Sequence, residues 1–86
     1  MWTIKFTKNA KKDKVLLKQA GLEDKVIKIL GFMLVDPLQT PPQYEKLLGD
    51  LDGYYSRRIN IQHRLVYRLD KSNQIIIVHS MWSHYE

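Results

Sequence analysis

Three runs decide how this chain folds: Tyr55-Ser56-Arg57-Arg58-Ile59-Asn60-Ile61, His63-Arg64-Leu65-Val66-Tyr67-Arg68-Leu69 and Ile75-Ile76-Ile77-Val78. The first two are rich in Tyr, Ile and Val, and read as strands. The join near Gln62 is a tight turn or a bulge, and Asp70-Lys71-Ser72-Asn73 is a clearer turn. The four-residue apolar run predicts a central strand buried on both faces. Side chains alternate across a strand, so Arg58 and Asn60 share one side while Ile59 and Ile61 share the other. In the next strand Arg64 and Arg68 fall together, opposite Leu65, Tyr67 and Leu69. One basic sheet face and one apolar face follow, with Val66 as the exception among the arginines.

Working upstream, Tyr44-Glu45-Lys46-Leu47-Leu48 is a short strand, and Gly49-Asp50-Leu51-Asp52-Gly53 is turn chemistry. Trp2-Thr3-Ile4-Lys5-Phe6 alternates apolar with polar residues, the period of a half-buried strand. Thr7 is placed to N-cap a first helix that runs to about Gln19, before Gly21 breaks the pattern. Val26, Ile29, Leu30, Met33 and Leu34 recur at helical spacing. Asp36-Pro37 ends that second helix, because the residue before proline is pushed out of the α region. Thr40-Pro41-Pro42 extends the stop into a loop. Helices and strands that do not alternate predict an α+β fold. It has an N-terminal strand and two helices on one face of a mainly antiparallel four- to five-stranded sheet, in a single domain over residues 1–86. The other sheet face is left to carry function.

At 86 residues the length allows one domain. The chain has no cysteine, which excludes a disulfide framework, Cys-based zinc sites and thiol catalysis. That is consistent with a reducing, cytoplasmic compartment. The longest apolar stretch is far too short for a bilayer span, and no signal-peptide hydrophobic region follows the N-terminus. The expectation is a small soluble protein without membrane association. Fourteen Lys and Arg against nine Asp and Glu leave a net charge of +5. The excess lies at the two ends: residues 1–28 hold eight basic and three acidic side chains, and residues 57–86 hold five and two. Such a balance favours a polyanionic partner, above all nucleic acid.

No metal constellation and no cofactor motif stands out, since His63, His79 and His84 are neither paired nor aligned on a helix. His79, inside an apolar strand, reads as structural, and His63 as the start of a strand. Tyr54 and Tyr55 read equally as packing or as base contacts. The remaining groups suit phosphodiester chemistry: sheet arginines, a lone Glu45 and a terminal Trp82-Ser83-His84-Tyr85-Glu86. RNA is cut without a metal when its own 2′-hydroxyl attacks the adjacent phosphorus. A base must take the hydroxyl proton, an acid must protonate the leaving 5′-oxygen, and the phosphate charge must be stabilised. Carboxylate, imidazolium and guanidinium meet these three needs.

Glu45, Gly53-Tyr54-Tyr55-Ser56-Arg57-Arg58-Ile59, His63-Arg64-Leu65-Val66-Tyr67 and a terminal Ser83-His84-Tyr85 together strongly resemble the YoeB/Txe family of bacterial toxins, within the RelE-like superfamily. The resemblance is close from about Tyr44 onward. The N-terminal half matches in element order, with Ala10 and Asp13 placed as in many relatives. It implies a RelE-like, microbial-RNase-like fold and a toxin of a type II toxin–antitoxin system. Such a toxin cleaves mRNA in the ribosomal A site, leaving a 2′,3′-cyclic phosphate and a 5′-hydroxyl. Glu45 would be the general base and His84 the general acid. Arg64 would stabilise the phosphate with help from Arg58, and Tyr85 would position the tail. Lys8, Lys11, Lys12, Lys14 and Lys18 would face ribosomal RNA, with Arg57 and Tyr55 as further RNA contacts.

The partners implied are a cognate YefM/Axe-like antitoxin, the 70S ribosome with its mRNA, and operator DNA through the antitoxin complex only. Family members also often form homodimers. Two positions depart from the family pattern. A lysine that commonly follows the glutamate by three positions is Leu48 here, and Lys46 points to the opposite face. Many relatives end at the tyrosine, whereas this chain adds Glu86, whose carboxylates could pair with Arg64 or raise the pKa of His84.

Overall fold

The computed structural model describes residues 1–82 of the chain. The elements in order are β1 (Thr3–Phe6), α1 (Lys8–Gln19), α2 (Glu23–Val35), β2 (Tyr44–Lys46), a 3₁₀ turn (Gly49–Leu51), β3 (Tyr54–Arg58), β4 (Arg64–Asp70) and β5 (Ile75–Ser80). The sheet has five strands in the order β1-β5-β4-β3-β2. Pairing is antiparallel from β2 through β5, and β1 joins β5 in parallel. The fold is therefore α+β as expected, with two helices on a five-stranded mixed sheet.

Local chemistry explains the element ends. The Thr7 side chain accepts a hydrogen bond from the Ala10 amide at 3.1 Å, capping α1 where the sequence placed the cap. The same hydroxyl donates to the His79 carbonyl at 2.9 Å, which ties the helix start to the end of β5. Asp36 closes α2 in an extended conformation before Pro37, as the restriction on pre-proline residues requires.

The helices cover one sheet face only. Ala10, Leu17, Val26 and Met33 from the helices meet Ile59, Leu65, Tyr67, Ile76 and Val78 from the sheet side, with Met81 beyond it. Alternation along β4 accounts for this, since Leu65 and Tyr67 are fully buried while Arg64 and Arg68 face away. β5 is interior, between β4 and β1, although the central strand is β4. Its inner pair Ile76 and Val78 is fully buried, but Ile75 and Ile77 are only half-buried. Burial on both faces fails there because no helix covers the outer face. Val66, the exception in the alternation, is buried on that outer side.

Candidate functional site: a carboxylate–arginine cleft on the helix-free face

Strand pairing builds the site. Glu45 of the edge strand β2 stands opposite Ser56 of β3, and Arg58 of β3 stands opposite Arg64 of β4. All four side chains belong to the parity that faces away from the helices. They line a cleft of about 290 Å³ whose rim is completed by Pro42 and Gln43. One Arg64 Nη1 donates to Glu45 Oε1 and to Ser56 Oγ, each at 3.3 Å. The Glu45 side chain is 66% exposed and that of Arg64 only 24%. The carboxylate is thus open to an incoming hydroxyl, while the guanidinium is held from behind. Arg58 is exposed beside them. Among the described residues, two guanidinium groups line the cleft with one carboxylate, a combination suited to a phosphate group. Ser56 is the buried floor of the cleft and accepts from Arg64, a role its place within the Tyr-Ser-Arg-Arg run does not announce.

Several expected site residues fall elsewhere. Arg57 is corrected outright: it is 1% exposed and cannot present its guanidinium to RNA. Its Nη2 donates to the carbonyls of Pro37 at 2.8 Å and Gln39 at 2.9 Å, its Nη1 to Pro42 O, and its Nε to the Tyr67 hydroxyl at 3.2 Å. The Tyr67 hydroxyl in turn donates to Pro37 O at 2.9 Å. Burial pushes the Tyr67 pKa up, and the neighbouring Arg57 charge offsets part of that. Together these two side chains hold the loop over residues 36–42 to the sheet. The signal was available, because adjacent residues on a strand point to opposite faces, so Arg57 must oppose Arg58.

Tyr55 shares the inner face with Arg57. It stacks on Tyr67 at 5.6 Å and meets the edge of Tyr44 at 5.7 Å, half-buried on the face opposite the cleft. Tyr54 instead looks out from the helix-free face and contacts His79, their ring centroids 5.4 Å apart. His79 is exposed, against the expectation of a structural histidine. Lys8, Lys11, Lys12, Lys14 and Lys18 are all exposed along α1, with Lys14 Nζ 4.6 Å above the Phe6 ring. They lie on the helix layer, across the sheet from the cleft. Leu48 is exposed, and Lys46 opposes Tyr55, on the other parity from Glu45. His84, Tyr85 and Glu86 lie outside the described residues.

The family model described as YoeB-like toxin of bacterial type II toxin–antitoxin system matches residues 6–85. The chain belongs to that family. A "Toxin YoeB" of Synechocystis is 40% identical over 74 residues, 86% of this chain and 77% of the relative. Among solved structures, the YoeB/ParE toxin from Agrobacterium tumefaciens superposes with a TM-score of 0.87 at 29% identity, covering 96% of this chain and 99% of that one. The heterotetrameric YoeB–YefM toxin–antitoxin complex from Staphylococcus aureus contains a chain with a TM-score of 0.82 at 34% identity, with 99% of each chain covered. This chain is thus a type II toxin of the YoeB kind. No helix among its described residues is long and apolar enough to cross a membrane.

In this YoeB-like toxin the end of β5 is held by two contacts the strand pattern does not supply. Asp13 of α1 is buried, 6% exposed, and its Oδ2 accepts the amides of Met81 at 2.9 Å and Trp82 at 3.3 Å. The His63 ring stacks on Trp82, centroids 3.9 Å apart and planes 24° from parallel. Trp82 is thus held through its ring by His63 and through its amide by Asp13. Removing the carboxylate strands two amides, one fully buried. Asp13→Ala is expected to lower stability by about 2–3 kcal/mol, and Asp13→Asn, which keeps one acceptor oxygen, by less. Urea denaturation of the two variants checks the order.

Proposed function

We propose that this YoeB-like toxin is a ribosome-dependent endoribonuclease that cleaves mRNA in the A site and so inhibits translation. The observation that carries the reading is the cleft in which Glu45, Arg58 and Arg64 share one open sheet face. Glu45 removes the proton of a 2′-hydroxyl. That oxygen forms a bond to the adjacent phosphorus as the bond to the 5′-oxygen breaks. His84 protonates the leaving 5′-oxygen, giving a 2′,3′-cyclic phosphate and a 5′-hydroxyl, and Tyr85 helps position the tail. Arg64, released from Glu45 by the incoming phosphate, stabilises its negative charge with Arg58. These groups supply base, acid and charge stabilisation, so the proposed mechanism calls on no metal or other cofactor.

The exposed lysines of α1 form a second basic surface, which on this reading meets ribosomal RNA in a cytoplasmic setting. A cognate antitoxin of the YefM type is the expected protein partner, as in the Staphylococcus aureus complex. Val15, Leu16, Ile27, Phe32 and Val35 are apolar side chains left exposed on the two helices, surface that such a partner would cover. Operator DNA is reached only through that complex, and a homodimer is a further expected state, since a YoeB dimer is known from Staphylococcus aureus. The test compares one message free in solution with the same message bound to translating ribosomes. Cleavage confined to the ribosome-bound form supports the reading; equal cleavage of both makes the chain a free-RNA nuclease, and cleavage of neither overturns it.

A further inference from the structure

The Tyr54–His79 pair has no part in the cleavage chemistry, yet it lies on the same helix-free face. The two residues come from β3 and β5, the strands on either side of β4. Their rings therefore lean toward each other over β4, reaching a centroid separation of 5.4 Å with planes 66° apart. His79 is exposed and Tyr54 half-buried, an aromatic and an imidazole ring left at a surface that no helix covers. Arg68, the cross-strand neighbour of Tyr54, is exposed beside them. The nearest carboxylate on β4, Asp70, is engaged by Asn73, whose amide and Nδ2 donate to it at 3.2 and 2.9 Å.

Position relative to the cleft gives the pair its meaning. Tyr54 is two residues from Ser56, the floor of the cleft, or about 7 Å along the strand. Arg68 is four residues from Arg64, or about 13 Å. Those spacings suit a nucleotide adjoining one whose phosphate sits at Arg64. We propose that Tyr54 and His79 form a stacking seat for the base of a nucleotide flanking the cleaved bond, with Arg68 contacting its phosphate. This rests on the reading of the cleft as an RNA-cleaving site. Every base has a π-face, so such a seat binds without reading sequence, and it acts on RNA whose bases are unstacked.

The test is a binding cycle with the full chain and a 2′-O-methyl oligoribonucleotide, which has no free 2′-hydroxyl and cannot be cut. A second oligonucleotide lacks one base, at each position in turn. Tyr54→Leu is expected to weaken binding of the intact oligonucleotide roughly tenfold, in the range that base stacking on an aromatic side chain provides. His79→Ala should weaken it less. Removing the base that occupies the seat should weaken wild-type binding to a similar extent and leave binding to Tyr54→Leu unchanged. Melting temperatures of both variants should stay close to wild type. Equal binding by wild type and Tyr54→Leu, a base-removal loss that is the same in both, or no binding by wild type overturns the seat and leaves the pair as a surface brace. Failure of the cleavage reading is seen separately, as unimpaired cleavage by Glu45→Gln, and does not affect the binding cycle.

Discussion

Glu45→Gln and His84→Ala are each expected to reduce cleavage of translated message by about 10²- to 10⁴-fold, the typical worth of one general acid or base. Neither change should disturb the fold. Glu45 is well exposed, and its contact is a single 3.3 Å bond to Arg64 at the mouth of the cleft. Exposed pairs of this kind contribute about 0–1 kcal/mol, so melting should shift little. Gln keeps the size and hydrogen-bonding reach of Glu but cannot take a proton, which makes it the sharper of the possible replacements. Arg64→Ala should act on the same step for a different reason. It removes the donor that would face the developing phosphate charge, for which losing one such contact costs about 10²–10³ in rate. The measurement is the rate of appearance of cleaved message, with urea denaturation of each variant beside it. A variant that unfolds and a variant that fails to catalyse are then told apart.

Replacing the neighbouring arginines one at a time should give opposite outcomes. Arg57→Ala is expected to destabilise the chain by about 2–5 kcal/mol, because it empties the space of a large buried side chain and takes the donor from two part-buried carbonyls. Those of Gln39 and Pro42 lose the Arg57 donor, while Pro37 O retains the Tyr67 hydroxyl. Against a typical total of about 5–15 kcal/mol, that is a large share of the stability. The loop over residues 36–42 would then come away from β3, and the cleft rim at Pro42 with it. Arg58→Ala, on the exposed side of the same strand, is expected to change stability by no more than about 0.5 kcal/mol while lowering cleavage. Denaturation midpoints and cleavage rates on the two variants separate the roles. Similar stability losses in both would contradict the assignment of Arg57 to the interior.

Most of the fold was legible because its signals are local. Alternation along β4, the Thr7 cap and the Asp36-Pro37 stop each depend on a few neighbouring residues, and each is found as read. The same alternation put Arg58 and Arg64 on one face; their meeting with Glu45 then required the β2–β3 and β3–β4 registers. What escaped depends on contacts distant in sequence. Alternation turns Arg57 inward, but nothing within its strand announces the carbonyls of residues 37–42 that receive its guanidinium there. Tyr54 and Tyr55 could not be told apart until one was seen against Tyr67 and the other against His79. His79 was assigned to the interior by its apolar neighbours. It emerges near the irregular register between Val66 and Tyr67, where β5 leaves regular pairing with β4. Asp13, buried on a lysine-rich helix, takes its role from amides 68 and 69 residues away.

The most direct test of the central claim is primer extension on a message under translation, comparing wild type with His84→Ala. The account predicts discrete stops within codons for the wild type, and none for the variant although it remains folded. Identical stops with both proteins would contradict it.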